Sequence, residues 1–143
     1  MSDYYDFDRA NARLPELRET LLHLRDQRDE IVSVRDRIVE LNAPALIGAP
    51  APPADMTLEE AAGETQRLRM KMQGLVDQMQ AAVLQLDGWG IQLREIETGL
   101  IDFPALAAGR PIWLCWRLGE EQVMWWHEVS EGFDSRRRIE DLI

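Results

Sequence analysis

One run of spacings constrains this chain more than any other feature. Leu58, Ala61, Thr65, Leu68, Met72, Leu75, Met79, Ala82, Leu86, Trp89, Leu93 and Ile96 follow one another at alternating steps of three and four. Only a helix turns that spacing into a single face. Thr57-Leu58-Glu59-Glu60 opens the run as a capping box, with Thr57 as N-cap and Glu60 three residues on. The helical region so defined is 57–96. Gly63 and Gly74 each weaken it by about 1 kcal/mol relative to alanine. Gly88 and Gly90 straddle Trp89, so a bend or an end fits there.

A second helical region, 7–42, precedes it. Leu14, Leu17, Leu21, Leu24, Ile31 and Ile38 keep a heptad-like seam whose remaining positions would be Arg28 and Arg35. An arginine there either frays the seam into solvent or forms a buried ion pair with a nearby carboxylate. Asp6 suits the cap of a short first helix, and Pro15 suits the first turn of the long one. Between the two regions, 43–56 holds Pro44, Pro50, Pro52, Pro53 and Gly48 and reads as a connecting loop. Two amphipathic helices joined by one loop pack as an antiparallel, coiled-coil-like hairpin. A lone hairpin covers only part of each stripe, so self-association into a homodimer is expected.

The composition changes after Ile96, giving a last region, 97–143, within one single domain of 143 residues. Glu97-Thr98-Gly99 reads as a helix exit and Asp102-Phe103-Pro104 as turn material. Residues 112–118 and 123–129 read as two strands of a tryptophan-rich hairpin. With Leu118 opposite Val123, one face carries Ile112, Leu114, Trp116, Trp125 and His127. The other carries Trp113, Cys115, Arg117, Met124, Trp126 and Glu128. That second face is apolar on what should be the wet side, so the tail around Phe133, a partner subunit or a ligand must cover it. Its six residues are the ligand or interface candidates. The fold class is therefore α+β, mainly α: a long helical hairpin plus a small C-terminal β-hairpin.

These strands also carry a resemblance. Asp102-Phe103-Pro104-Ala105-Leu106, Leu114-Cys115-Trp116-Arg117-Leu118-Gly119-Glu120, Trp126-His127-Glu128, Gly132-Phe133 and the opening Ala10-Asn11-Ala12-Arg13-Leu14-Pro15 resemble a prokaryotic family, number 2203 among the domains of unknown function. The likeness spans both ends and the second helix but not Asn42 to Met56. It implies no activity, because none is established for the family.

Several function classes are disfavoured. With 16 basic against 26 acidic residues and a net charge of −10, the chain is ill suited to nucleic acid or to an anionic membrane surface. No stretch reaches the roughly 20 apolar residues of a membrane span. The acidic N-terminus has no signal-peptide character, and a lone cysteine permits no intramolecular disulfide, so a cytoplasmic protein is expected. No glycine-rich phosphate loop occurs. On the register above Cys115 faces away from His127, and no Cys-x-x-Cys or His-x-x-x-His spacing exists, so no metal, cofactor or catalytic residue is assigned. Asp102 and His127 are expected to form a structural polar pair. The function that fits is a non-enzymatic interaction or scaffold protein, with room for a protein partner. The alternative is a small-molecule-binding protein or enzyme with its site at the Trp113/Trp126 face.

Overall fold

The computed structural model describes residues 4–46, 53 and 55–142. Among these it has three helices, α1 (Phe7–Ala12), α2 (Leu14–Leu46) and α3 (Leu58–Gly88). They are followed by an antiparallel sheet of β1 (Gln92–Glu95), β2 (Leu100–Ala107), β3 (Arg110–Arg117), β4 (Trp125–Glu128) and β5 (Arg137–Arg138), in that spatial order. The mainly helical α+β class read from the sequence is what the chain adopts, with a wider sheet than the expected two strands. No described helix is long and apolar enough to cross a membrane. Most of the expected proline-rich loop, 47–52 and 54, lies outside the described residues.

The chain divides into two compact units, Asp26–Ala81 and Met1–Arg25 with Ala82–Ile143. In the first, polar contacts run up α2 as they run down α3, which makes the pair antiparallel. Gln27 Nε2 donates to Gln78 Oε1 at 2.8 Å, Lys71 Nζ lies 2.7 Å from Glu30, and Arg37 Nε lies 2.9 Å from Glu64. Thr57 and Glu60 close the capping box in both directions at 3.0 Å. The seam differs from expectation at two places. Gln27 and Val34 are buried, while Arg28 is half-buried and Arg35 exposed. Three-residue steps from Leu24 to Gln27 and from Ile31 to Val34 bring the residue before each arginine to the inner position. α2 also runs to Leu46, past the expected end of its region at residue 42.

In the second unit Asp6 caps α1, accepting from the Arg9 amide. α3 ends at Gly88 rather than near Ile96: the chain turns through Gly90, at φ +77, and Leu93 enters β1 opposite Ile101. The three-and-four spacing thus continues through residues that are not helical. Residues 100–107, of which Asp102-Phe103-Pro104 reads from sequence as turn material, form a strand flanked by β1 and β3. Pro104 is tolerated there because β1 stops opposite Asp102. Amide and carbonyl of one strand residue point the same way, and the Pro104 carbonyl accepts from the Tyr5 amide at 2.7 Å, away from the β3 ladder. β2 and β3 join through Ala108 and Gly109, both with positive φ, the geometry of a tight two-residue hairpin. One face of the sheet supplies Ile101, Phe103, Ala105, Ile112, Leu114 and Trp116 to the core. These are buried with Leu14, Leu17, Leu21, Leu24 and Leu86 of the same unit.

Candidate functional site

The site depends on the pairing of β3 with β4. Cys115 lies opposite Trp125, Leu114 opposite Trp126 and Trp113 opposite His127. This is one residue off the expected register, and a shift of one exchanges the faces of a strand. The cause lies in the connection. The Val123 amide is taken by Asn11 Oδ1 at 2.8 Å, and Glu120 folds back so that its carboxylate accepts from the Arg117 amide at 2.7 Å. β4 starts only at Trp125. The connection then holds an odd number of residues, which reverses the alternation.

The six interface candidates consequently do not share a face. Trp113, Cys115 and Arg117 lie on the outer face, away from the helices, now joined by Trp125 and His127. Trp126 and Glu128 pair with the inward-facing Leu114 and Ile112. Trp126 is buried, its Nε1 donating to the Arg138 carbonyl at 3.2 Å, and Glu128 is held by Arg110 at 2.6 Å. Met124, exposed, precedes β4. The alternative of a Trp113/Trp126 site is corrected accordingly: the face that could hold a ligand is that of Trp113, Cys115, Trp125 and His127.

On that face the ladder β2–β3–β4 brings three chemically capable side chains together. Asp102 pairs with Cys115, and His127 follows one diagonal step away. All three are at most 3% exposed. One donor atom from each, oxygen, sulfur and nitrogen, falls within 4.8 Å of the others. The expectation that Cys115 faces away from His127 is therefore overturned.

The contact expected between His127 and Asp102 is present, with Nε2 3.0 Å from Oδ2. The other ring nitrogen, Nδ1, lies 2.8 Å from the Glu128 carbonyl oxygen. A carbonyl can only accept, so Nδ1 carries a hydrogen and aims Nε2 into the cluster. Asp102 Oδ2 also accepts from Arg94 Nε at 2.8 Å. Its second oxygen, Oδ1, is buried and has no hydrogen-bond partner among the described residues. Burial, and then the Asp102 charge, push the Cys115 thiol up to about 12.

The tail packs over this face. Arg136 is bidentate to Glu120 at 2.9 and 3.1 Å, and its guanidinium lies 4.6 Å from the Trp125 ring centroid and 4.2 Å from that of Phe133. Its Nη1 is 4.0 Å from Cys115 Sγ. Arg94 lies 4.9 Å from the Trp113 ring centroid. Between these covers, a cavity of about 330 Å³ touches Asp102 and Cys115 and is walled by Arg94, Glu131, Gly132 and Phe133. Sequence reasoning missed Arg94 and Arg136. Arg136 opens a run of three arginines, but nothing in the sequence aims it at a sheet.

A different kind of surface belongs to the helical unit. Of the α3 stripe, Ala61, Thr65 and Leu75 are buried, whereas Leu68, Met72 and Met79 are half-buried, as are Ile31 and Ile38 on α2. Neither curated proteins nor solved structures give a match to the chain. The family model "Uncharacterized conserved protein (DUF2203)" matches residues 3–139, a stretch that takes in both long helices, all five strands and the Asp102–Cys115–His127 cluster, and the chain belongs to that family.

Proposed function

We propose that the chain is a non-enzymatic interaction protein that forms a homodimer through its two long helices. The observation that carries this reading is the incomplete burial of the seam within Asp26–Ala81. Ile31, Ile38, Leu68, Met72 and Met79 occupy the stripe but remain half-buried. Two antiparallel helices can cover only one side of each other's apolar stripe, and a second copy brings a stripe of the same width and length. A two-fold pairing of hairpins into a four-helix bundle covers both at once. Methionine at two of these positions suits an interface that must adapt its packing.

Light scattering on the full chain at micromolar concentration should give about twice the 16.5 kDa chain mass. Leu68→Glu combined with Met72→Glu should return a monomer that keeps its helical circular dichroism. A wild-type chain that stays monomeric over that range contradicts the proposal, as does a double variant that still dimerises.

A further inference from the structure

We propose that Asp102, Cys115 and His127 form a binding site for a divalent transition-metal ion of the zinc type, which ties β2, β3 and β4 together beneath the C-terminal tail. The donor set is a thiolate, an imidazole and a carboxylate, the three side-chain types that bind zinc. Each comes from a different strand, and all three are buried on one sheet face.

Three further observations point to a cation. First, His127 Nδ1 is committed to the Glu128 carbonyl at 2.8 Å, the outer-shell contact that orients a ligating imidazole through its other nitrogen. With Nδ1 committed to the carbonyl, Nε2 is the nitrogen that faces Asp102 Oδ2, at 3.0 Å. A proton holds that contact when no metal is bound, and an ion binding Nε2 takes the proton's place. Second, Asp102 Oδ1 is a buried carboxylate oxygen with no partner among the described residues. Such an atom carries a desolvation penalty that a bound cation removes. Third, the adjoining cavity leaves room for a water or small donor at a fourth position.

The second shell fits the same assignment. Arg94 holds Asp102 through Oδ2, leaving Oδ1 as the free donor. Arg136 Nη1, 4.0 Å from Cys115 Sγ, suits a thiolate acceptor. Zinc bonds of about 2.0–2.3 Å require donors closer together than the 4.8 Å spread, so the three side chains draw in by about 1 Å on binding. Binding replaces the Cys115 S–H bond with a sulfur–metal bond and releases that proton to solvent. The two ligand charges, from Cys115 and Asp102, then balance the ion, while His127 stays neutral.

The test uses the full chain, purified without a polyhistidine tag and without added metal. Elemental analysis before and after dialysis against Zn²⁺ should reach one ion per chain, with release of protons to solvent. Substitution by Co²⁺ should give sulfur-to-cobalt charge-transfer absorption. Cys115→Ser should abolish that absorption, and His127→Gln should reduce Zn²⁺ to well below stoichiometric, while His23→Gln keeps both. If Cys115→Ser fails to fold, the wild-type measurements still decide. A wild-type chain that retains no stoichiometric metal after dialysis overturns the proposal. So does metal held equally by Cys115→Ser and His127→Gln variants with native circular dichroism.

Discussion

Cys115 is 1% exposed, and its thiol is pushed up to about 12 by burial and by the neighbouring Asp102 carboxylate. A raised folded-state value means that the unfolded thiol, ordinarily near 9.0, ionises first as pH rises. The stability associated with keeping this thiol neutral is therefore complete below pH 9 and is lost progressively as pH climbs towards about 12. Cys115→Ala should flatten that alkaline loss in a denaturation series. Chelated, metal-free protein at pH 8 should react with iodoacetamide on the order of a thousandfold more slowly than the same protein in urea, since only thiolate attacks. Equal rates would mean that the thiol is neither buried nor beside a carboxylate. At the same scale, the His127–Asp102 contact was legible because both residues border hydrophobic strand segments and one must answer the other. The orphaned Asp102 Oδ1 was not, because it depends on where Arg94 arrives.

The elements were read with unequal success, for reasons that differ by element. The cap at Thr57 and Glu60 is a local hydrogen-bond pattern and formed as the spacing indicated. The end of α3 is decided by Gly90 at φ +77, at the place where Gly88 and Gly90 allowed either a bend or an end, while the apolar steps through Trp89, Leu93 and Ile96 mimic a helix that has already ended. β2 was hidden by Pro104, which ordinarily argues against a strand and is admitted only where the neighbouring strand stops short. The turn between β1 and β2 shows how closely these pieces fit. Gly99 sits at φ +67, and a Cβ there would fall 2.6 Å from Leu118 Cβ. Gly99→Ala should destabilise the protein by about 2 kcal/mol, combining left-handed backbone strain with the displaced leucine. Chemical denaturation of the variant checks it. A loss of a few tenths of a kcal/mol would show that the turn opens freely.

For the whole molecule, fold class was legible because amphipathic period and turn chemistry act locally, whereas the site was not. Asp102, Cys115 and His127 come together only through two strand pairings, and the second follows a connection held by Asn11 on the Val123 amide and by Glu120 on the Arg117 amide. With an even connection after β3, Cys115 and His127 would lie on opposite faces and no cluster would exist. With the odd one, the outer face gains its buried triad, and Arg136 and Phe133 of the tail pack over it. The β3–β4 register is thus the hinge of the account. Backbone nuclear Overhauser contacts across that pair measure it directly. The structure predicts contacts of Cys115 with Trp125 and of Trp113 with His127. Contacts pairing Trp116 with Trp125 and Leu114 with His127 would contradict it and dissolve the site.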